Sequence, residues 1–275
     1  MTGFSAKGAQ PNVAPSLSTP GEATEVHTGI LRLALAVEES RAYWSHADPD
    51  LQLPSVSPGE RALVAFEKRW FGAKTMPRIR FLLPNLAARY DAFPQSLAVL
   101  YRWAAMDAHT RRAVCHFHMQ LSDPIYRRFT GDFLVQRRSA TGSDIDRDIV
   151  LRWVQREFPD RWAPATCIQF ASKLLSAASE AGLISAKKDP RKLLAPLVPE
   201  LALAYILYVL RGLRFEGTLV ANPYLASIGL VPNDARLASL PGVQCRRMGD
   251  LVDFQWAAPD LSVWAALYLP REGTA

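Results

Sequence analysis

The chain has 275 residues, 49% of them apolar and 21% charged, with 32 basic against 26 acidic side chains and a formal net charge of +6. That balance excludes a disordered or collagen-like chain and allows one or two ordinary domains. Cys115, Cys167 and Cys245 form no spaced pair, so no disulfide framework is expected and a cytoplasmic setting is the simpler reading.

Residues 1–24 are rich in Gly, Pro, Ser, Thr and Ala and poor in large apolar groups, which predicts a flexible tail with order beginning near Glu25. They lack a basic start followed by an apolar core, so no secretory signal is expected. Ile30, Leu31, Leu33, Ala34 and Val37 then lie at helical spacing, followed by Trp44. Ser57-Pro58-Gly59-Glu60 is a helix start: Ser57 as N-cap, Pro58 in the first turn and Glu60 reaching back. The spacing turns Leu63, Phe66 and Trp70 inward and Arg61, Lys68 and Arg69 outward, with Gly72 closing the helix.

A second helical stretch covers 77–90. Ile79, Leu82, Leu83 and Leu86 are its apolar positions and Arg78, Arg80 and Arg89 its basic ones, with Pro84 expected to kink or split it. Helical patterns resume through Leu97, Leu100, Trp103 and Ala104, and again over 109–120 with Arg111 and Arg112 near the start. Short helices joined by short loops predict a mainly α fold, with a helical bundle over 25–140. The polar stretch 137–146 places a boundary before a second domain at 141–270.

Residues 143–195 carry the clearest functional pattern. Ser143 and Asp146 mark a helix start, Ile149, Val150, Trp153 and Val154 form an apolar stripe, and Pro159 stops it. Pro164 opens another helix that ends at Gly182. Ile168, Ala171, Leu174, Leu175 and Ala178 are its expected buried face. The opposite face reads Thr166, Gln169, Ser172, Lys173 and Ser176, which is small and polar enough to enter a major groove about 12 Å wide. Leu183 to Lys188 reads as a strand, Asp189-Pro190 as a turn, and Arg191-Lys192-Leu193-Leu194 as the return strand. Helix, turn, helix and a basic hairpin make the order of a winged helix-turn-helix, with Lys187, Lys188, Arg191 and Lys192 placed to meet phosphate.

Leu201 to Leu210 is an apolar run of ten residues, about half of what a membrane helix needs, so no transmembrane span is expected. Further on, Tyr224–Leu230 and Asn233–Leu240 suggest two short helices. Val243–Met248 and Leu251–Trp256 should pair across Gly249-Asp250, with Arg246 and Arg247 on the first strand as a weaker echo of a wing.

Charge supports a polyanion partner. Residues 61–112 hold ten basic against three acidic residues and 147–192 hold nine against five, while 1–60 are net negative. Motifs for chemistry are missing. Cys115-His116-Phe117-His118 has no second ligand cluster and reads as packing. Asp144, Asp146 and Asp148 begin like a calcium loop, but Ile149 and Gln155 occupy the positions that need Gly and Glu. No P-loop, dinucleotide fingerprint or nucleophile elbow occurs, and His27, His46 and His109 have no context suggesting a base, so neither a metal, a cofactor nor an enzyme is expected.

The run Ala65-Phe66-Glu67-Lys68-Arg69-Trp70-Phe71-Gly72-Ala73-Lys74-Thr75, then Leu86 to Tyr90 and Phe93-Pro94, resembles the first domain of the BrxA family of bacteriophage-exclusion (BREX) systems. The resemblance continues through 129–133, 162–173, 180–184 and 222–230, and spans about residues 26–257. It implies a double-stranded-DNA-binding protein whose helical first domain is similar to NusB, acting in phage defence beside a methyltransferase and an ATPase. The long N-terminal tail departs from the compact start of that family. Combined with the residue pattern, the expectation is a non-enzymatic DNA-binding accessory protein. Arg147, Arg152, Lys173, Lys187, Lys188, Arg191 and Lys192 would contact phosphate, Thr166, Gln169 and Ser172 would lie near the groove, and Arg78, Arg80 and Arg89 would form a second basic surface. An assembly scaffold and an RNA-binding NusB-like protein are the alternatives.

Overall fold

The computed structural model describes residues 20–48, 57–140, 144–185, 188–231, 234–249 and 251–270. The fold is mainly helical, with a three-stranded antiparallel sheet near the C-terminus and a smaller strand pair in the middle of the chain. Buried apolar residues from Ile30 to Trp264 form one contiguous cluster, so the elements on either side of the polar 140s share a core.

Residues 20–24, expected to belong to the tail, are fixed against the rest of the chain. Gly21 bridges to Arg214, Ala23 donates its N–H to the Leu121 carbonyl, and the buried Glu22 carboxylate pairs with Arg127 at 3.4 Å and accepts from the Tyr224 hydroxyl. Residues 20–24 of the expected tail are therefore held in place, by one carboxylate and by backbone pairing to a segment far along the chain. Residues 1–19 lie outside the described residues.

The first helical pattern is split into α1 (Gly29–Arg32) and α2 (Val37–Trp44). Arg89 explains the break. Its guanidinium donates to the carbonyls of Leu33, Ala34 and Leu35 at 3.2, 2.8 and 2.6 Å, taking the acceptors a continuous helix would use internally. Ala36 turns the chain at φ 51°, and the Glu180 carboxylate accepts the N–H groups of Ala36 and Val37 at the start of α2. Arg89 is 4% exposed and belongs to the core, which corrects its expected place on a basic surface.

Helix α3 (Pro58–Glu67) starts with the anticipated capping box between Ser57 and Glu60. Its buried face is Ala62 and Ala65, however, while Leu63 and Phe66 are 48% and 44% exposed. The helix closes on Arg69 at φ 51°, where the Trp70 N–H reaches the Ala65 carbonyl, and not on Gly72. Helix α4 (Met76–Tyr90) continues through Pro84 as one element. Pro84 and Arg80, whose carbonyl loses its helical donor, are both exposed.

After α5 (Pro94–Arg102), the central helix α6 (Ala108–Ser122) is capped by Asp107 and buried without interruption from Ala113 to Leu121. His116 lies between the hydroxyls of Tyr126 (2.9 Å) and Ser227 (2.8 Å), and His118 meets that of Tyr205 (2.7 Å). Both imidazoles are packing groups of the core. Helix α7 (Pro124–Arg128) runs through a π-helical turn at Phe129–Phe133 into α8 (Leu134–Ser139).

The chain then forms β1 (Asp144–Ile145), α9 (Arg147–Glu157), α10 (Pro164–Glu180) and β2 (Arg191–Lys192), followed by α11 (Glu200–Arg211). Ala202 to Leu210 are all buried, so the most apolar run of the chain is a core helix. Among the described residues no helix is long and apolar enough to cross a membrane. Helix α12 (Pro223–Ser227) packs on the π turn. Asn233–Leu240, expected to be helical, reduces to a 3-10 turn at Ala235–Leu237 and β3 (Ser239–Leu240), with Asn233 itself outside the described residues. Strands β4 (Val243–Met248) and β5 (Leu251–Trp256) pair as expected, with Met248 opposite Leu251. The last element, α13 (Leu261–Tyr268), has no counterpart among the elements expected from sequence.

Candidate nucleic-acid interface

Asp146 builds the entry to α9 by accepting the Ile149 N–H at 2.7 Å, and Val150, Trp153 and Val154 anchor that helix in the core. Ser143, the other residue expected at this helix start, lies outside the described residues. A short turn leads to α10, which buries Cys167, Phe170, Ala171, Leu174, Leu175, Ala177 and Ala178. Phe170 takes the inward position and Ile168 is left 43% exposed, so the buried face is rotated from the expected one. Gly182, at φ 78°, ends α10 as anticipated: its N–H goes to the Ser179 carbonyl and that of Leu183 to Ala178.

Residues 183–185 then run antiparallel to 192–194. Ser185 donates its N–H to the Lys192 carbonyl and Leu194 donates to Leu183, both at 2.8 Å, and Ile184 bridges to Leu193. The return strand continues as β2, which pairs on its other side with β1 through Asp144–Lys192 and Ile145–Arg191. The return segment is thus central, flanked by a strand from before α9 and one from after α10. The described pairing of the hairpin's first strand reaches Ser185, Lys188 takes no part in it, and Ala186 and Lys187 lie outside the described residues.

Gln169, Ser172, Lys173 and Ser176 are exposed along α10, and Thr166 is half-buried. The Ser172 hydroxyl donates to the Ile168 carbonyl at 3.1 Å, leaving its oxygen as an acceptor. Arg147, Arg152, Lys188 and Lys192 are exposed. Among the described residues none of these four, nor Lys173, makes an ion pair. Arg191 differs. It is held by Asp189 at 2.8 Å and reaches the Leu175 carbonyl at 3.4 Å, which makes it a strut between β2 and α10 in place of a free phosphate ligand. Desolvation opposes ionisation of Asp189, but the hydrogen bond from Arg191, the Arg147 N–H and the charges of both arginines hold its carboxyl below the usual range.

Asp146, Asp148 and Asp189 share a recess with Arg147 and Pro190, so the positive surface is interrupted there. Arg156, exposed one turn beyond Arg152 on α9, is absent from the set expected from sequence; the i, i+4 spacing was its available signal. Arg137 is absent from that set too and supports the site from behind, donating to the Asp144 carbonyl at 2.7 Å. On α4, Arg78 and Arg80 are exposed and the Arg78 guanidinium lies 5.0 Å from the Phe81 ring, whereas Arg89 is withdrawn into the core.

No family model matches the chain, and no curated protein matches it. One solved structure is similar: the crystal structure of an uncharacterised protein from Magnetospirillum magneticum, at 15% identity and a TM-score of 0.50, covering 66% of this chain and 92% of that one. At that identity the likeness concerns the fold alone, and the chemistry has to be argued from the side chains above.

Proposed function

We propose that the chain is a non-enzymatic, duplex-DNA-binding protein that uses residues 144–194 as a winged helix-turn-helix module. The observation that carries this reading is the strand order around α9 and α10: the return strand of a basic hairpin sits between β1 and the strand leaving α10, while the polar side of α10 is open. In such modules the second helix enters the major groove and the wing lies along the backbone. Gln169 is the base-proximal side chain, with Thr166 and Ser172 beside it, and Lys173 takes phosphate from the same face. Arg147, Arg152, Arg156, Lys188 and Lys192 take phosphate, and Lys187 extends that set in the sequence. Arg78 and Arg80 supply a separate basic surface. The BrxA resemblance adds a NusB-like assignment for the helices before residue 140 and a cytoplasmic role in phage defence beside a methyltransferase and an ATPase.

A second reading, an assembly scaffold, draws on the exposed apolar pair Leu63 and Phe66 on α3, which lies outside the proposed DNA module. Fluorescence anisotropy with a short labelled duplex at several salt concentrations separates the two. Replacing Lys173, Lys188 and Lys192 by Glu is expected to lower affinity by at least about tenfold. It should also reduce the slope of log K against log salt by about 0.9 for each phosphate no longer neutralised. Absence of salt-dependent duplex binding, or an unchanged triple variant, overturns the DNA reading. Preferential competition by duplex RNA supports the RNA-binding alternative instead.

A further inference from the structure

A cleft of about 710 Å³ opens where the ends of α2 and α5 meet α13. That volume lies within the usual range for small-molecule sites, about 300–1,000 Å³. Trp44, Leu100 and Trp103 are buried in its wall, and the half-buried Ala265 and Leu269 with the exposed Ala266 give it an accessible apolar lining. Arg41, in the last turn of α2, and Arg102, in the last turn of α5, lie at the same cleft and are exposed. Among the described residues neither guanidinium has a hydrogen-bond or ion-pair partner, and no acidic side chain lines the cleft. The C-terminal ends of two helices contribute roughly half a negative charge each. Two full guanidinium charges outweigh them. The cleft around Asp132 and Glu216 is different, because its Arg127 is committed to Glu22 and its Arg138 to the carbonyls of Ser227 and Leu194.

We infer that the α2–α5–α13 cleft binds an amphipathic monoanion, with an aliphatic or aromatic body against Ala265, Ala266 and Leu269 and a carboxylate or sulfonate taken by Arg41 and Arg102. Arginine is suited to this role because its planar donors match a carboxylate edge. The cleft shares no residue with the α9–α10 surface, so its occupancy can be tested apart from DNA binding.

The test uses the full chain with anilinonaphthalene sulfonate as reporter, read by energy transfer from tryptophan, and decanoate and decanol as competitors. Saturable one-to-one binding displaced by decanoate is expected. The Arg41→Gln/Arg102→Gln variant should weaken decanoate about tenfold or more and leave decanol within about twofold, since only the charged head is unpaired. Ala266→Trp, a change at an exposed position lining the cleft, should block both competitors with an unchanged melting temperature. No saturable signal, equal losses for decanoate and decanol, or full binding in Ala266→Trp overturns the proposal.

Discussion

Replacing Arg89 by methionine should destabilise the protein by about 3 kcal/mol and leave duplex binding intact. The guanidinium is 4% exposed, makes no ion pair among the described residues and donates to three consecutive carbonyls at the α1–α2 break. Methionine replaces most of the stem and none of the donors. The buried Leu33 carbonyl is left without a donor, at about 2 kcal/mol; Leu35 keeps only the long 3.4 Å bond from the Ser40 hydroxyl and loses about 1.5 kcal/mol, and Ala34 is half-buried and regains part of its bond from water. Removing a buried guanidinium recovers some desolvation and brings the sum down to about 3 kcal/mol. For a chain of this length that is a fall of roughly 6–12 °C in apparent melting temperature. Arg89→Lys keeps the charge but cannot span three carbonyls, and should lose at least half as much. Thermal melts by circular dichroism measure the shift, and anisotropy on the folded variant measures duplex affinity. A shift under about 2 °C, or a tenfold loss of DNA affinity in a folded Arg89→Met, refutes the structural role and returns Arg89 to the basic surface that sequence spacing suggests.

Acid sensitivity should trace to the two core histidines. Burial pushes His116 and His118 down to about 3, with Arg138 beside the first and Arg89 beside the second adding to it. The folded values lie below the unfolded value of about 6.5, so this stability is complete above pH 6.5 and is lost as pH falls toward 3, where the unfolded chain takes up protons first. Denaturation followed at pH 7 and pH 5 should show a loss of about 2 kcal/mol per histidine at the lower pH, halved in His118→Gln; a flat profile rules this out. Two glycines should respond in opposite directions. A methyl at Gly131 overlaps the ring and backbone of Pro223, and Gly131→Ala is expected to cost about 3 kcal/mol or more, whereas Gly59 in the first turn of α3 faces open space and Gly59→Ala should gain about 0.5 kcal/mol. Equal melting temperatures for the two variants contradict that packing.

Local signals were legible in the chain itself. The capping box at Ser57, the stop at Gly182 and the turn between β4 and β5 depend on neighbours within about four residues, and each appears where the sequence places it. The outward polar positions of α10 were equally readable, because helical period alone sets them apart from Phe170 and Leu174. What period could not decide was which partner a side chain meets. Leu63 and Phe66 have core chemistry, yet Ala62 and Ala65 are the buried positions of α3, which packs on α4, and small side chains let two helices come close. Arg89 and Arg191 have surface chemistry, yet backbone carbonyls at an interrupted helix and a carboxylate across a turn engage them. Strand β1 has only two residues, and exists because β2 arrives beside it from 46 positions later, counted from Ile145 to Arg191. Interactions local in sequence determine where elements start and stop. Pairings closed over long loops decide which charges remain free for a ligand, and only the tertiary structure contains them.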